Sequence, residues 1–206
     1  MKLKEFPLVD KPTYGPIVSR RLGASLGINL LPPSRKLCSF DCSYCQLGWN
    51  GRNGKTGFAD PERVIREVGA VLRTGRRIDR ITFSGNGEPT MHPEFARVVE
   101  GVLRVRDREF SGAQVAVLTN GAHLDRNSIV DALNRVDEPI VKFDAGNEPM
   151  FRRLNRPRPG LTLARLSRGI RQVRGPILQA MFVRGSIDNS TDEEVESLLG
   201  RLAPLS

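Results

Sequence analysis

Cys38, Cys42 and Cys45 stand within eight residues, in the spacing C-x3-C-x2-C, and they are all the cysteines in the chain. Three thiolates on one short loop can hold three corners of a cubane iron–sulfur cluster, and an all-cysteine 4Fe–4S cluster takes four. The missing fourth ligand leaves one iron open to a small molecule. An open position is also what separates catalytic from structural zinc sites. Zinc normally closes its tetrahedron with four protein ligands. Here there is no fourth cysteine, and the two histidines, His92 and His123, lie far along the chain. A disulfide framework wants an even count, and three structural cysteines on one loop would be an odd use of the residue. The spacing therefore favours a cluster, with zinc or a redox cysteine as alternatives.

A second group follows at Gly85-Asn86-Gly87-Glu88-Pro89-Thr90. Glycines let backbone approach a ligand closely, and Glu88 adds an acceptor. A Gly-rich turn alone is a weak signal. Further along, Asn120 sits where a strand meets a turn, as a left-handed turn residue would. Lys142 and Asp144 share one face of a strand, as site residues or as an interior ion pair. Trp49 lies in a Gly- and Asn-rich loop over 46–59 and either covers the cysteines or simply packs.

These residues need elements to position them. Apolar, β-branched runs predict strands at 25–31 (stopped by Pro32-Pro33), 78–84, 114–118, 139–146 and 176–183. Between them lie helical patterns. Asp60 and Pro61 open one as N-cap and first residue, with Val64, Ile65, Val68, Val71 and Leu72 on its apolar face. Another follows His92-Pro93, with Phe95, Val98, Val99, Val102 and Leu103 inward. Further helices are expected at 128–133 and 162–173. Thr191 and Glu194 form a capping box before the last one. Residues 1–24 read as an irregular lead-in, 25–206 as one core domain, and 150–157 as a basic insertion. Strands and helices alternate five times, which predicts an α/β fold of parallel βα units. Their loops gather at the carboxyl ends of the strands. The cysteine loop, the Gly-Asn-Gly-Glu turn, Asn120 and Asp144 all fall at that end.

The 206 residues suffice for one domain with a sizeable core. At 39% hydrophobic and 27% charged, the composition argues against disorder. No apolar run approaches the ~20 residues of a membrane span, and the N-terminus has no signal-like apolar stretch. A cytoplasmic, reducing compartment follows. The net charge of +9 admits nucleic acid as a partner. The arginines are scattered, however, as at Arg73, Arg76, Arg77 and Arg80 or Arg104, Arg106 and Arg108, and no aromatic-interleaved RNA signature is present.

The C-x3-C-x2-C loop, with Tyr44 just before its third cysteine, resembles the signature of the radical S-adenosylmethionine (radical SAM) superfamily. The Gly-Asn-Gly-Glu turn after the second strand resembles that family's Gly-Gly-Glu-type motif, with Asn86 as a variation. Tyr14-Gly15-Pro16, Ser19-Arg20-Arg21-Leu22-Gly23 and the run from Val141 to Gly146 extend the match over 14 to about 200. They point to a subgroup similar to the wyosine tRNA-modifying synthases. Those enzymes carry a second cluster, for which this chain has no cysteines.

The resemblance implies a partial (β/α)6 TIM-like barrel, about five units of which are present and the sixth strand missing. It implies a 4Fe–4S cluster on Cys38, Cys42 and Cys45 whose open iron takes the amino and carboxylate groups of S-adenosylmethionine. Reductive cleavage would then yield a 5′-deoxyadenosyl radical that abstracts hydrogen from a substrate the sequence does not reveal, RNA or a small molecule. It places Gly85, Asn86, Gly87 and Glu88 on the methionine amino group and Tyr44 near the adenine. Asn120 or Asp144 would meet the ribose or the carboxylate. It implies an external electron donor of flavodoxin or ferredoxin type. Two other classes stay open: a non-catalytic iron–sulfur carrier or sensor, and a zinc-stabilised RNA-binding module.

Overall fold

A computed structural model describes residues 6–50, 57–109 and 112–205. Residues 1–5, read above for a leader, and 51–56 of the Gly- and Asn-rich loop lie outside the described residues. Six strands form one open sheet in simple sequence order: β1 (Thr13–Ser19), β2 (Gly23–Asn29), β3 (Arg80–Ser84), β4 (Gln114–Thr119), β5 (Glu138–Lys142) and β6 (Ile177–Gln179). β1 pairs antiparallel with β2, and every later pair is parallel. The α/β class with five parallel strands is as expected, and the sheet does not close. This is a partial barrel.

Three expectations need correction. Residues 13–19, expected to be irregular, form β1, which covers the outer edge of β2. A side-chain contact adds to the backbone pairing. Tyr14 lies across Gly27, where a Cβ would overlap its ring, and its hydroxyl bonds Ser84 Oγ at 2.5 Å. The basic insertion at 150–157 is mostly helix α4 (Glu148–Asn155), capped by Asn147 and buried through Met150, Phe151 and Leu154. The strand expected at 176–183 shrinks to three residues, because Met181 and Val183 bond to Asp144 and Asn189 side chains rather than to a strand.

The helices on the sheet follow their apolar periodicity. In α1 (Pro61–Leu72), Asp60 Oδ1 accepts from Arg63 N at 2.8 Å, and Val64, Val68 and Leu72 are buried. In α2 (Phe95–Glu109), Phe95, Val98, Val99 and Val102 meet the core, with Phe95 edge-on to Phe83 at 5.8 Å. The shorter α3 (Asn127–Leu133), α5 (Leu163–Ile170) and α6 (Asp192–Leu202) complete the layer. Half of the capping box forms: Thr191 Oγ1 accepts from Glu194 N, while the Glu194 carboxylate accepts from Asn147 instead.

Candidate functional site

The cysteine loop is fastened on three sides. Leu37 and Gly87 form a β-bridge, with Leu37 N donating to Asn86 O at 2.9 Å and Glu88 N to Leu37 O at 3.0 Å. Gly87, at φ 144°, is required here: a Cβ would run into the Leu37 carbonyl. On the far side, Asp41 N and Ser43 N donate to the Asn155 and Leu154 carbonyls at the end of α4. From within, Asn50 accepts from Cys38 N at 2.8 Å and donates to Phe40 O at 3.0 Å. Lys36 is buried, donates to Asp41 at 3.0 Å and Gly48 O at 2.8 Å, and stands near Cys45 and Cys38. Burial works against its charge, but Asp41 and the two cysteines outweigh it and raise its pKa.

All three cysteines line one cavity of about 240 Å³ at the carboxyl ends of the parallel strands, with Tyr44, Gly87, Glu88, Asn120, Lys142 and Gln179. A larger cleft of about 510 Å³ between α1 and α2 is lined largely by arginines and contains none of the expected residues. The cavity's residues fit a cluster. Phe40 N at 3.5 Å and Asn120 Nδ2 at 3.4 Å donate to Cys38 Sγ, and Asn155 Nδ2 at 3.6 Å donates to Cys42 Sγ. Such donors tune cluster sulfurs. Burial and then the Glu88 charge push the Cys38 thiol up to about 12. Burial also raises Cys42, against the pull of Lys142. Thiols in this state are poor free nucleophiles, and a metal's charge is what would draw off their protons. Among the described residues no three His, Cys, Asp or Glu side chains converge on a single ion.

Glu88 is 2% exposed. Its Oε1 accepts from Thr90 N, Thr90 Oγ1 and Thr119 Oγ1, and its Oε2 accepts only from Asn120 N at 2.7 Å. Oε2 thus keeps acceptor capacity in the wall of the cavity. Burial raises its pKa in spite of these bonds. Asn120 bridges Ser39 and Cys38 through its side chain, so it serves the cysteine loop as well as the cavity.

Gly85 and Asn86 do not line the cavity. Gly85, at φ 100°, packs on Asn29, and the Asn86 side chain is used up on Val9 N, Val9 O and Pro32 O. Asp144 does not line it either. It is a buried anchor: Oδ2 accepts from the Tyr44 hydroxyl, Lys142 Nζ at 2.6 Å and Asn155 Nδ2 at 2.6 Å, and Oδ1 from Met181 N at 2.9 Å. Lys142 and Asp144 form an ion pair, and Lys142 also lines the cavity. Lys142 Nζ also sits 4.4 Å from the Tyr44 ring centroid, which fixes that ring in the cavity wall. Lys36, Asn50, Asn155 and Gln179 were not foreseen. Each acts through a lone polar side chain without a spacing pattern, so the sequence offered no signal for them.

His123 Nδ1 lies 2.9 Å from Thr90 Oγ1, which itself donates to Glu88, so the imidazole is the donor in this pair. Burial, then Arg126, lowers its pKa from 6.5 to about 4. The unfolded imidazole takes up a proton near pH 6.5 that the folded one refuses. Its contribution to stability is therefore complete above pH 6.5 and is lost as the pH falls to about 4. Urea unfolding across that window is expected to show the loss, and His123→Gln to flatten it.

The chain matches the family model described as Radical SAM superfamily over residues 35–200. It is 31% identical over 206 residues to a protein of Brachyspira hyodysenteriae named GTPase Obg, covering 96% of this chain and 29% of that one. It is 33% identical over 190 residues to a UPF0026 protein of Methanocaldococcus jannaschii, covering 88% and 56%. The chain thus spans less than two thirds of either relative. The fold is similar to native anSMEcpe with bound AdoMet, at a TM-score of 0.62 and 16% identity over 84% of this chain and 47% of that one.

Proposed function

This chain belongs to the radical SAM superfamily, and on that footing we propose that Cys38, Cys42 and Cys45 hold a 4Fe–4S cluster whose open iron takes S-adenosylmethionine. The observation behind this reading is that the chain's three cysteines share one cavity with Gly87 and Glu88, with no fourth cysteine to close the cluster. When bound, the cluster supplies an electron for reductive cleavage of S-adenosylmethionine to a 5′-deoxyadenosyl radical, which abstracts hydrogen from a substrate.

The chain's own residues bind and orient. Glu88 Oε2 accepts from the methionine ammonium, and the Gly87 backbone, clear of any side chain, lets that group approach. Tyr44, fixed by Asp144 and Lys142, offers its ring to the adenine. Asn120 orders the Cys38 side of the loop and faces the nucleoside. Lys36 brings a positive charge beside Cys38 and Cys45 and offsets the negative charge of a thiolate-held cluster. We assign the electron to an external donor of flavodoxin or ferredoxin type and the protein to the cytoplasm, where an oxygen-sensitive cluster would survive. Among the described residues no helix is long and apolar enough to cross a membrane.

Anaerobic reconstitution with iron and sulfide tests the site. The expected product binds about four irons per chain, and its reduced electron paramagnetic resonance signal changes on adding S-adenosylmethionine. A fully loaded protein whose signal ignores S-adenosylmethionine contradicts the reading.

A further inference from the structure

We propose that a second cavity, between α5 and α6, binds a phosphate group, free or carried by a small monoester, on Ser167, Arg171, Ser197 and Arg201. The proposal goes beyond the cluster chemistry above and does not rest on it.

This cavity has a volume of about 310 Å³ and shares no lining residue with the cavity of the three cysteines. One spacing occurs twice in its walls. Ser167 and Arg171 stand four apart at the end of α5, and Ser197 and Arg201 stand four apart toward the end of α6. Residues four apart lie on one face of a helix. Each helix therefore brings a hydroxyl and a guanidinium to the same space. Gly146, in the turn after β5, lets α6 come this close, because a Cβ there would run into the Ser197 carbonyl. Gly200 leaves its part of the wall bare: a Cβ on it would meet nothing within 4 Å.

Two observations point to an anion. Ser167 is 4% exposed, and its Oγ is buried with no hydrogen-bond partner among the described residues. A serine within a helix ordinarily bonds back to the carbonyl four residues earlier or faces water. This hydroxyl does neither, so its donor and acceptor capacity is left for a ligand. The guanidiniums are uncommitted as well. Among the described residues, neither Arg171 nor Arg201 has a carboxylate within 4.0 Å. Arg201 spends only its Nε, on Gly146 O at 3.2 Å. The last carbonyls of α5 do not claim these arginines, since Ser167 O, Gly169 O and Ile170 O accept from the next turn of backbone. The larger cleft between α1 and α2 differs in this respect. There Arg73, Arg97, Arg104 and Arg108 each have a glutamate partner. Two free guanidiniums and two hydroxyls suit a phosphate, which carries up to two negative charges at neutral pH and offers at least three strong acceptor oxygens. A carboxylate, with one charge and two oxygens, would leave part of this set unused.

Calorimetric titration of the reconstituted protein with inorganic phosphate, and separately with glycerol 3-phosphate, tests this at constant ionic strength. Wild-type protein is expected to take up one phosphate per chain. Ser167→Ala is expected to weaken binding about tenfold, the effect of losing one hydrogen bond to a charged group. Arg171→Gln is expected to weaken it by about tenfold or more. In phosphate-free urea, Ser167→Ala is expected to unfold no earlier than wild type, because it removes a buried hydroxyl that has no partner. Adding phosphate is expected to raise the urea midpoint of wild type and to leave that of Arg171→Gln almost unmoved. Tighter binding of the monoester supports the site and assigns it to a phosphorylated small molecule; tighter binding of inorganic phosphate supports it and assigns it to the free ion. A wild-type protein that takes up neither overturns the proposal. So does a Ser167→Ala or Arg171→Gln protein that binds phosphate like wild type. Phosphate that S-adenosylmethionine displaces would lie in the cysteine cavity, which also overturns it.

Discussion

Reconstituted Cys42→Ala protein is expected to hold well under one iron per chain, against about four in the wild type, and to lose S-adenosylmethionine cleavage by at least about a thousandfold. Cys42 is the middle ligand, on the stretch where Asp41 N and Ser43 N are tied to the end of α4. Its sulfur receives Asn155 and lies near Lys142. Two remaining thiolates cannot hold a cubane, and no spare cysteine exists to replace the third. The fold itself should hardly notice. The thiol is partly buried and unbridged, so the metal-free variant is expected to unfold within about 1 kcal/mol of wild type. Iron and sulfide assays beside urea unfolding separate the two effects. A variant that loads its full iron would show that the three cysteines are not the ligand set.

The second large effect is one of stability. Asp144→Ala is expected to destabilise the metal-free protein by about 3–5 kcal/mol, the range for breaking a buried ion pair from one side. The carboxylate is enclosed and accepts from Tyr44, Lys142, Asn155 and Met181 N. Removing it strands the Lys142 ammonium and three further donors. Lys142 is a quarter exposed and can turn partly to water, which sets the lower end of the range. Tyr44→Phe removes one of these bonds and is expected to cost only about 1 kcal/mol. A midpoint shift in urea with unchanged slope reports the difference. Asp144→Ala protein as stable as Tyr44→Phe would remove Asp144 from the centre of this network.

Much of this arrangement was legible in the chain because its signals are local. Asp60-Pro61 and the apolar spacing that follows define α1 without help from the rest of the fold. The cysteine spacing is complete within eight residues. What failed depended on distant partners. β1 is a strand through its pairing with β2, which Gly27 permits by leaving room for the Tyr14 ring, a contact that no propensity records. The segment at 150–157 shows many arginines, yet its sparse apolar positions, Met150, Phe151 and Leu154, suffice for an amphipathic helix. At the site, the Gly-Asn-Gly-Glu turn divides in two, which its sequence does not show. Asn86 and Gly85 face Val9, Pro32 and Asn29, and only Gly87 and Glu88 reach the cavity. Asp144 follows the carboxyl end of β5. Its surroundings, set by residues up to 100 positions away, make it an anchor for Tyr44.

The central claim is that three cysteines and an open iron make this cavity an S-adenosylmethionine-cleaving site. Its most direct test is to incubate the reduced, reconstituted protein with S-adenosylmethionine and search for 5′-deoxyadenosine by mass spectrometry. The account predicts 5′-deoxyadenosine from the wild type and none from Cys42→Ala. A wild-type protein with a full cluster and bound S-adenosylmethionine that yields no 5′-deoxyadenosine would contradict it.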